Sequence, residues 1–133
     1  MTEFNFEIGM DVRFRDIDAM GHVNNAVYAT YLEQARVRYL ADVIGEPLRE
    51  IAGVVADLHL DFERPISLGD TVTVGVGAGD LGTSSIPFSY GIRADGAVAA
   101  TAETLFVTVD DAGDPRPIPE DWRERIEAHE RPE

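Results

Sequence analysis

The sequence predicts an α+β domain in which one long helix is wrapped by a curved antiparallel sheet. Three observations predict it. Apolar and polar residues alternate, position by position, in one early segment and in several later ones. Between them, Tyr28, Leu32, Ala35 and Tyr39 recur at i, i+4, i+7 and i+11, which is one face of a helix. The order is therefore strand, helix, then a run of strands, without the β-α alternation of a parallel sheet. Such a sheet lays one face on the helix, and its remaining surface needs cover that a second subunit supplies most simply. At 133 residues the chain is read as one domain, long enough to bury a core.

Each element follows from local signals. Phe4, Phe6 and Ile8 alternate with Glu3, Asn5 and Glu7, and Val12 and Phe14 with Asp11, Arg13 and Arg15. This is a first strand, broken or bulged near Gly9. A polar loop, DIDAMGHVNN, follows over residues 16–25. The helix starts near Asn25, with Asn24 or Asn25 as N-cap, because an asparagine oxygen there accepts an early helix N–H. Arg36 and Arg38 sit near its C-terminal end, where positive charge is favoured. Gly45 and Pro47 stop it, and residues 46–51 allow one further short turn.

Four strands are expected next. Residues 54–62 place Val54, Ala56, Leu58, Leu60 and Phe62 on one face and Val55, Asp57, His59 and Asp61 on the other, ending at Arg64-Pro65. Residues 71–76 alternate Thr and Val. In residues 84–93, Pro87 marks an edge or a bulge. Ala94-Asp95-Gly96 signals a tight turn, and residues 97–109 return. The core domain is expected over residues 1–112, followed by an acid-rich segment over 113–133. Residues 119–129 form either a short helix docked through Trp122 and Ile126 or part of a solvated tail.

Composition excludes several functions. A formal net charge of −14 disfavours nucleic acid and anionic membrane surfaces as partners. No apolar run reaches the ~18 residues of a membrane span. The first ten residues lack the basic and apolar regions of a secretory leader, so a cytoplasmic protein is expected. With no cysteine there is no disulfide framework, thiolate nucleophile or thiolate ligand. The basic residues are all arginine. Acid excess without lysine suits a protein working in concentrated salt, where self-repulsion is screened; a GC-rich genome gives the same arginine bias.

The chemistry-bearing residues concentrate in the loop and the helix start. Asp18 is ionised at neutral pH at an ordinary carboxylate pKa, and suits direct attack on an acyl carbon or proton abstraction from water. Unpaired N–H groups at the helix start would stabilise an oxyanion, with the Asn25 N–H as the candidate donor. Gly21 allows close backbone approach. Against this, Asp16 and Asp18 equally suit Asx-turns. His22 reads as general base, metal ligand or satisfied loop histidine; the spacing of His22, His59 and His129 matches no zinc pattern. Asn24 and Asn25 orient a carbonyl or water, or one of them only caps the helix. Glu33 faces the same site or pairs with Arg36. Asp57, His59 and Asp61 share a strand face with no serine beside them, and read as an exposed or interface face.

The run RFRDIDAMGHVNNAVYATYLEQAR resembles the 4-hydroxybenzoyl-CoA thioesterase-like family of hotdog-fold acyl-CoA thioesterases, in its YbgC/FadM-type branch. Phe62-Glu63-Arg64-Pro65 and Leu68-Gly69-Asp70-Thr71-Val72 are similar to that family's second and third strands. The likeness covers about residues 5–109 and is specific in the loop and helix. It implies a hotdog fold, with the sheet wrapped around the helix, two subunits joined edge to edge, and sites at the subunit interface of a homodimer or homotetramer.

The resemblance also implies roles. The family's catalytic aspartate falls on Asp18 and its oxyanion donor on the Asn25 N–H, with no metal and no cofactor. Glu33 falls where members often carry an acid. His22-Val23-Asn24-Asn25 after the glycine departs from the benzoyl-CoA enzymes, which points to aliphatic acyl groups on CoA or acyl carrier protein. Dehydratase and hydratase signatures are missing. CoA phosphates need local cations on so acidic a protein, and Arg64 and Arg93 are candidates, with Ser84 and Ser85 as hydrogen-bonding partners. The expected activity is thioester hydrolysis; the alternative is a non-catalytic acyl-CoA-binding module.

Overall fold

The structure is a computed structural model that describes residues 4–131. Five antiparallel strands form one sheet in the order β1-β3-β4-β5-β2. They are β1 (Glu7–Asp11), β2 (Gly53–Phe62), β3 (Thr71–Ala78), β4 (Ser85–Ala94) and β5 (Ala97–Thr108). Helix α1 (Asn25–Tyr39) lies against the sheet, and helix α2 (Glu120–Glu130) closes the chain. This is the expected α+β architecture, and it is a hotdog fold.

Helix α1 begins where its cap predicts. Asn24 is extended, and its side-chain oxygen accepts the Ala26 N–H at 2.9 Å. Tyr28, Leu32, Ala35 and Tyr39 are buried, as their spacing requires, and Tyr31 and Arg36 are buried with them. The helix widens into one π turn over Leu40–Ile44 and ends at Gly45. One short turn follows at Leu48–Glu50. Opposite α1, Val72, Val74 and Val76 of β3 and Ile86, Phe88, Tyr90 and Ile92 of β4 complete the core.

Several strand expectations change in detail. β1 runs only over Glu7–Asp11, and Phe14–Asp16 form a 3₁₀ turn, because Asp16 folds back to accept the Arg13 N–H. The expected alternation at Glu3 lies outside the described residues. A bulge at Val55/Asp57 inserts Ala56 as an extra residue. Strand partners share a face, so Val55, opposite buried Phe106, lies on the helix side, and Val54, opposite Val107, lies on the outer side. The alternation expected across the bulge is therefore reversed upstream of it.

Pro87 sits in β4, which is central rather than at an edge. Its carbonyl accepts the Gly79 N–H, one residue past the end of β3. Its ring nitrogen points to the same side, where β3 has stopped, so no ladder hydrogen bond is lost. Asp95-Gly96 makes the two-residue hairpin turn between Ala94 and Ala97. Gly53 is a packing requirement: a Cβ there would stand 2.2 Å from the Phe106 ring.

In the acid-rich segment, Ile118, Trp122 and Ile126 are buried in the same core cluster as α1 and the sheet. Glu130 accepts the Ala78 N–H and the Tyr39 hydroxyl, tying α2 to β3 and α1. Burial and this carboxylate raise the Tyr39 phenol well above its ordinary pKa.

Candidate active site

The loop before α1 is closed on itself. The Asp18 N–H donates to the His22 carbonyl at 2.7 Å, and the Gly21 N–H to the Asp18 carbonyl at 3.0 Å. Gly21 has φ 82° with open space around it, so the position asks for a left-handed backbone rather than a small side chain. Val23 N–H donates to the Ile66 carbonyl, which pins the loop beside the end of β2.

The two acids of the D-x-D divide their work. Asp16 is buried at 3% exposure. Its Oδ2 accepts the Arg13 N–H and the Tyr31 hydroxyl, each at 2.9 Å. Burial alone would raise its pKa; the two hydrogen bonds and the charges of Arg13 and Arg15 outweigh burial and hold it below the ordinary value. Tyr31 is pushed up in turn by its burial and by Asp16. Asp16 is thus a structural bracket between loop and helix.

Asp18 is exposed. Its Oδ1 accepts the Met20 N–H at 2.9 Å and the His22 N–H at 3.3 Å. The first of these is an Asx-turn bond, so the turn-forming reading holds for this residue too. It does not consume the carboxylate, because Oδ2 has no protein partner among the described residues.

At the helix start, Asn24 N–H donates to the Asp16 carbonyl and Val27 N–H to the Asn24 carbonyl. With Ala26 N–H on the Asn24 side chain, the Asn25 N–H is left without a protein acceptor among the described residues. Asp18, His22 and Asn25 line one open cleft of about 290 Å³ together with Arg64. Val23, Tyr28, Phe62, Glu63 and Pro65 complete its wall. Burial raises the Tyr28 phenol, against a weaker opposing hydrogen bond from Ile66, so it stays protonated and able to donate.

The periodicity places Tyr28 on the apolar face of the helix and Phe62 on one face of a strand. Their spacing signals a buried face and says nothing of what else that face borders. Tyr28 and Phe62 meet edge to face at 4.9 Å, which makes the apolar side of the cleft.

The other expected residues lie elsewhere. Asn24 is the cap, and neither it nor Gly21 is among the residues lining the cleft. Glu33 lies two turns along α1, in a second pocket of about 470 Å³, and makes no ion pair with Arg36. Ser85 is opposite Val107, which is opposite Val54, so Ser84 and Ser85 sit at the end of the sheet away from Asp18. Arg93 pairs with Thr73 and lies between buried Ile92 and Ala94, on the face turned away from α1. Within one chain, then, Asp18, His22, Asn25 and Arg64 come together, and Glu33, Ser84, Ser85 and Arg93 do not join them.

Asp57, His59 and Asp61 line the outer face of the sheet, with His59 3.2 Å from Asp61. Among the described residues, no group of three or more histidines and acids is arranged to hold a metal ion. No helix among them is long and apolar enough to cross a membrane.

Comparison with known proteins gives the family. The profile of the thioesterase-like superfamily matches residues 12–126, from the start of the loop segment into α2. A Thermus thermophilus thioesterase solved with coenzyme A and zinc is 45% identical, with a TM-score of 0.91 and 100% of each chain covered. The Escherichia coli long-chain acyl-CoA thioesterase FadM is 33% identical over 104 residues, 74% of this chain and 79% of that protein. A chloroplastic acyl-acyl carrier protein thioesterase of Arabidopsis thaliana, ATL3, is 32% identical over 95 residues, 68% of this chain and 49% of that protein. The chain belongs to the thioesterase-like superfamily and is a thioester hydrolase of the hotdog fold.

Proposed function

We propose that the protein hydrolyses acyl-CoA, RCO–SCoA plus water giving the free acid and CoA thiol, at the cleft of Asp18, Asn25 and Arg64. One observation carries this reading: an exposed carboxylate with a free oxygen shares a cleft with an unpaired N–H at the start of a fifteen-residue helix. The thioester oxygen accepts the Asn25 N–H, where the helix dipole adds to the stabilisation of developing negative charge. Asp18 takes a proton from the attacking water, or attacks the acyl carbon itself to form an acyl-aspartyl anhydride that water then hydrolyses to the free acid. The C–S bond breaks and the thiolate leaves, to be protonated by solvent. Arg64 offsets the CoA phosphates, and His22 fixes the loop through its backbone. Carboxylate, water and oxyanion donor complete the reaction, so it calls on no metal or redox cofactor. The similarity to a thioesterase solved with coenzyme A supports CoA as the carrier.

The site is proposed to be completed by a second copy. β2 is an edge strand, and Val54, Val55, Leu58 and Phe62 on it are 40–52% exposed. An edge this long and apolar calls for a partner. Antiparallel pairing of two β2 strands brings the Phe62 end of one chain to the Val54 end of the other. That sets the Asp18 cleft of one subunit against the Glu33 pocket of its partner, and accounts for their separation within one chain. The protein is read as cytoplasmic.

Thiol release from a panel of acyl-CoAs tests the reaction. Steady release with at least one member is the expected result. Tight binding across the panel with no thiol released would instead favour a non-catalytic acyl-CoA-binding module.

A further inference from the structure

We infer that the second pocket receives the distal end of the acyl group, and that Arg36 within it selects acyl chains ending in a carboxylate. The inference rests on the thioesterase reading above and names its substrate class.

Arg36 is only 8% exposed, yet it lacks a counter-charge. The one hydrogen bond found for it among the described residues runs from Nη1 to the Tyr90 hydroxyl at 3.1 Å. That hydroxyl in turn shares a 2.7 Å hydrogen bond with the Thr104 hydroxyl. A guanidinium carries five N–H donors, so most of its capacity is unused. No carboxylate stands within 4.0 Å of it among the described residues, Glu33 included. A buried cation with only neutral hydroxyl partners is costly, and a ligand carboxylate supplies the missing charge in the two-pronged geometry that arginine favours.

The space for such a ligand is present. Arg36 lines a pocket of about 470 Å³ beside Glu33, with Val37, Leu40, Ile51, Val55 and Phe106 as its apolar walls. The apolar walls suit methylene groups; Arg36 is the cation and Glu33 the acid at this pocket, and the two form no ion pair, which leaves the guanidinium for a ligand. Val55 belongs to the β2 edge, so the pocket opens where the cleft of a second subunit is proposed to lie. A thioester held at Asn25 then sends its acyl tail across the interface to Arg36. On a chain of net charge −14, an acyl tail bearing its own negative charge needs a local cation to be held. Arg36 therefore acts on one substrate class, rather than on acyl chains in general.

The test compares length-matched CoA thioesters, one ending in a methyl group and one in a carboxylate, from butanedioyl to decanedioyl. At the best length the carboxylated member should have the higher kcat/KM by about tenfold to a hundredfold, the range expected of one charge-assisted pair. Arg36→Met should reduce that ratio to about one, and Arg36→Lys should keep part of it. A wild-type preference for the methyl-ended member at every length would overturn the inference. So would an Arg36→Met loss shared equally by both members, the outcome of a role confined to holding Tyr90 and Thr104. If Arg36→Met does not fold, calorimetry on the wild-type protein decides: a free dicarboxylate should bind more tightly than the matched monocarboxylate, and equal binding overturns the inference. Thiol release from no member of the series would sink the hydrolase reading, while the calorimetric comparison still judges Arg36.

Discussion

At the scale of single residues, the loop separates two aspartates that their spacing leaves equivalent. The sequence offers both for turns or for chemistry. Burial makes the difference, and burial depends on Tyr31, fifteen residues away, which donates to Asp16 at 2.9 Å. Because the Asp16 pKa is lowered on folding, its charged form stabilises the protein above the unfolded carboxylate pKa, and that contribution is lost as pH falls below it. Tyr31→Phe should cost about 1–2 kcal/mol at pH 7 and flatten the fall in Tm between about pH 5 and pH 3. Melting curves of both proteins across that range check it; parallel curves would mean that Tyr31 does not hold the Asp16 charge. The placement of Asp18 and Asn25 was legible because it is local, set by a turn and a helix start. Arg36 was not, since periodicity placed it near a helix end without revealing that the sheet would cover it.

At the scale of elements, α1 was readable because its apolar period is long and uninterrupted. β2 was harder: a single extra residue at Ala56 reverses which side chains face the helix, and no residue type announces it. Pro87 signalled an edge or a bulge, and β4 there is neither; the proline is tolerated because β4 outruns β3 at that residue. For residues 119–129 the sequence left docked helix and solvated tail open, because acid-rich composition masks two spaced apolar residues. Trp122 and Ile126 are 5% and 1% exposed, so Trp122→Ala should cost about 3–5 kcal/mol by denaturant unfolding. A loss under ~1 kcal/mol would mean that α2 is a dispensable tail. For β2, Leu58→Glu should convert the proposed dimer to monomer by sedimentation, since it sets like charges across the paired edges. Thiol release should fall with it. A dimer that persists in Leu58→Glu would place the subunit contact elsewhere.

At the scale of the molecule, 25 acids face 11 arginines. Self-repulsion on that scale should make Tm rise as KCl increases, and flat stability from low to molar salt would remove the salt-adapted reading. Charge also shaped what could be read early: it disfavoured polyanionic macromolecules but left the carrier of the acyl group open, and a CoA carrier would call for a local cation, the role proposed for Arg64. Hydrolysis is proposed to depend on the free carboxylate oxygen at position 18. The most direct test is kcat of Asp18→Asn on the best acyl-CoA, measured beside Tm. The predicted result is turnover lower by about two to four orders of magnitude with Tm nearly unchanged, because the amide keeps an oxygen for Met20 and His22 but neither attacks nor takes a proton. Turnover within a few-fold of wild type would contradict it.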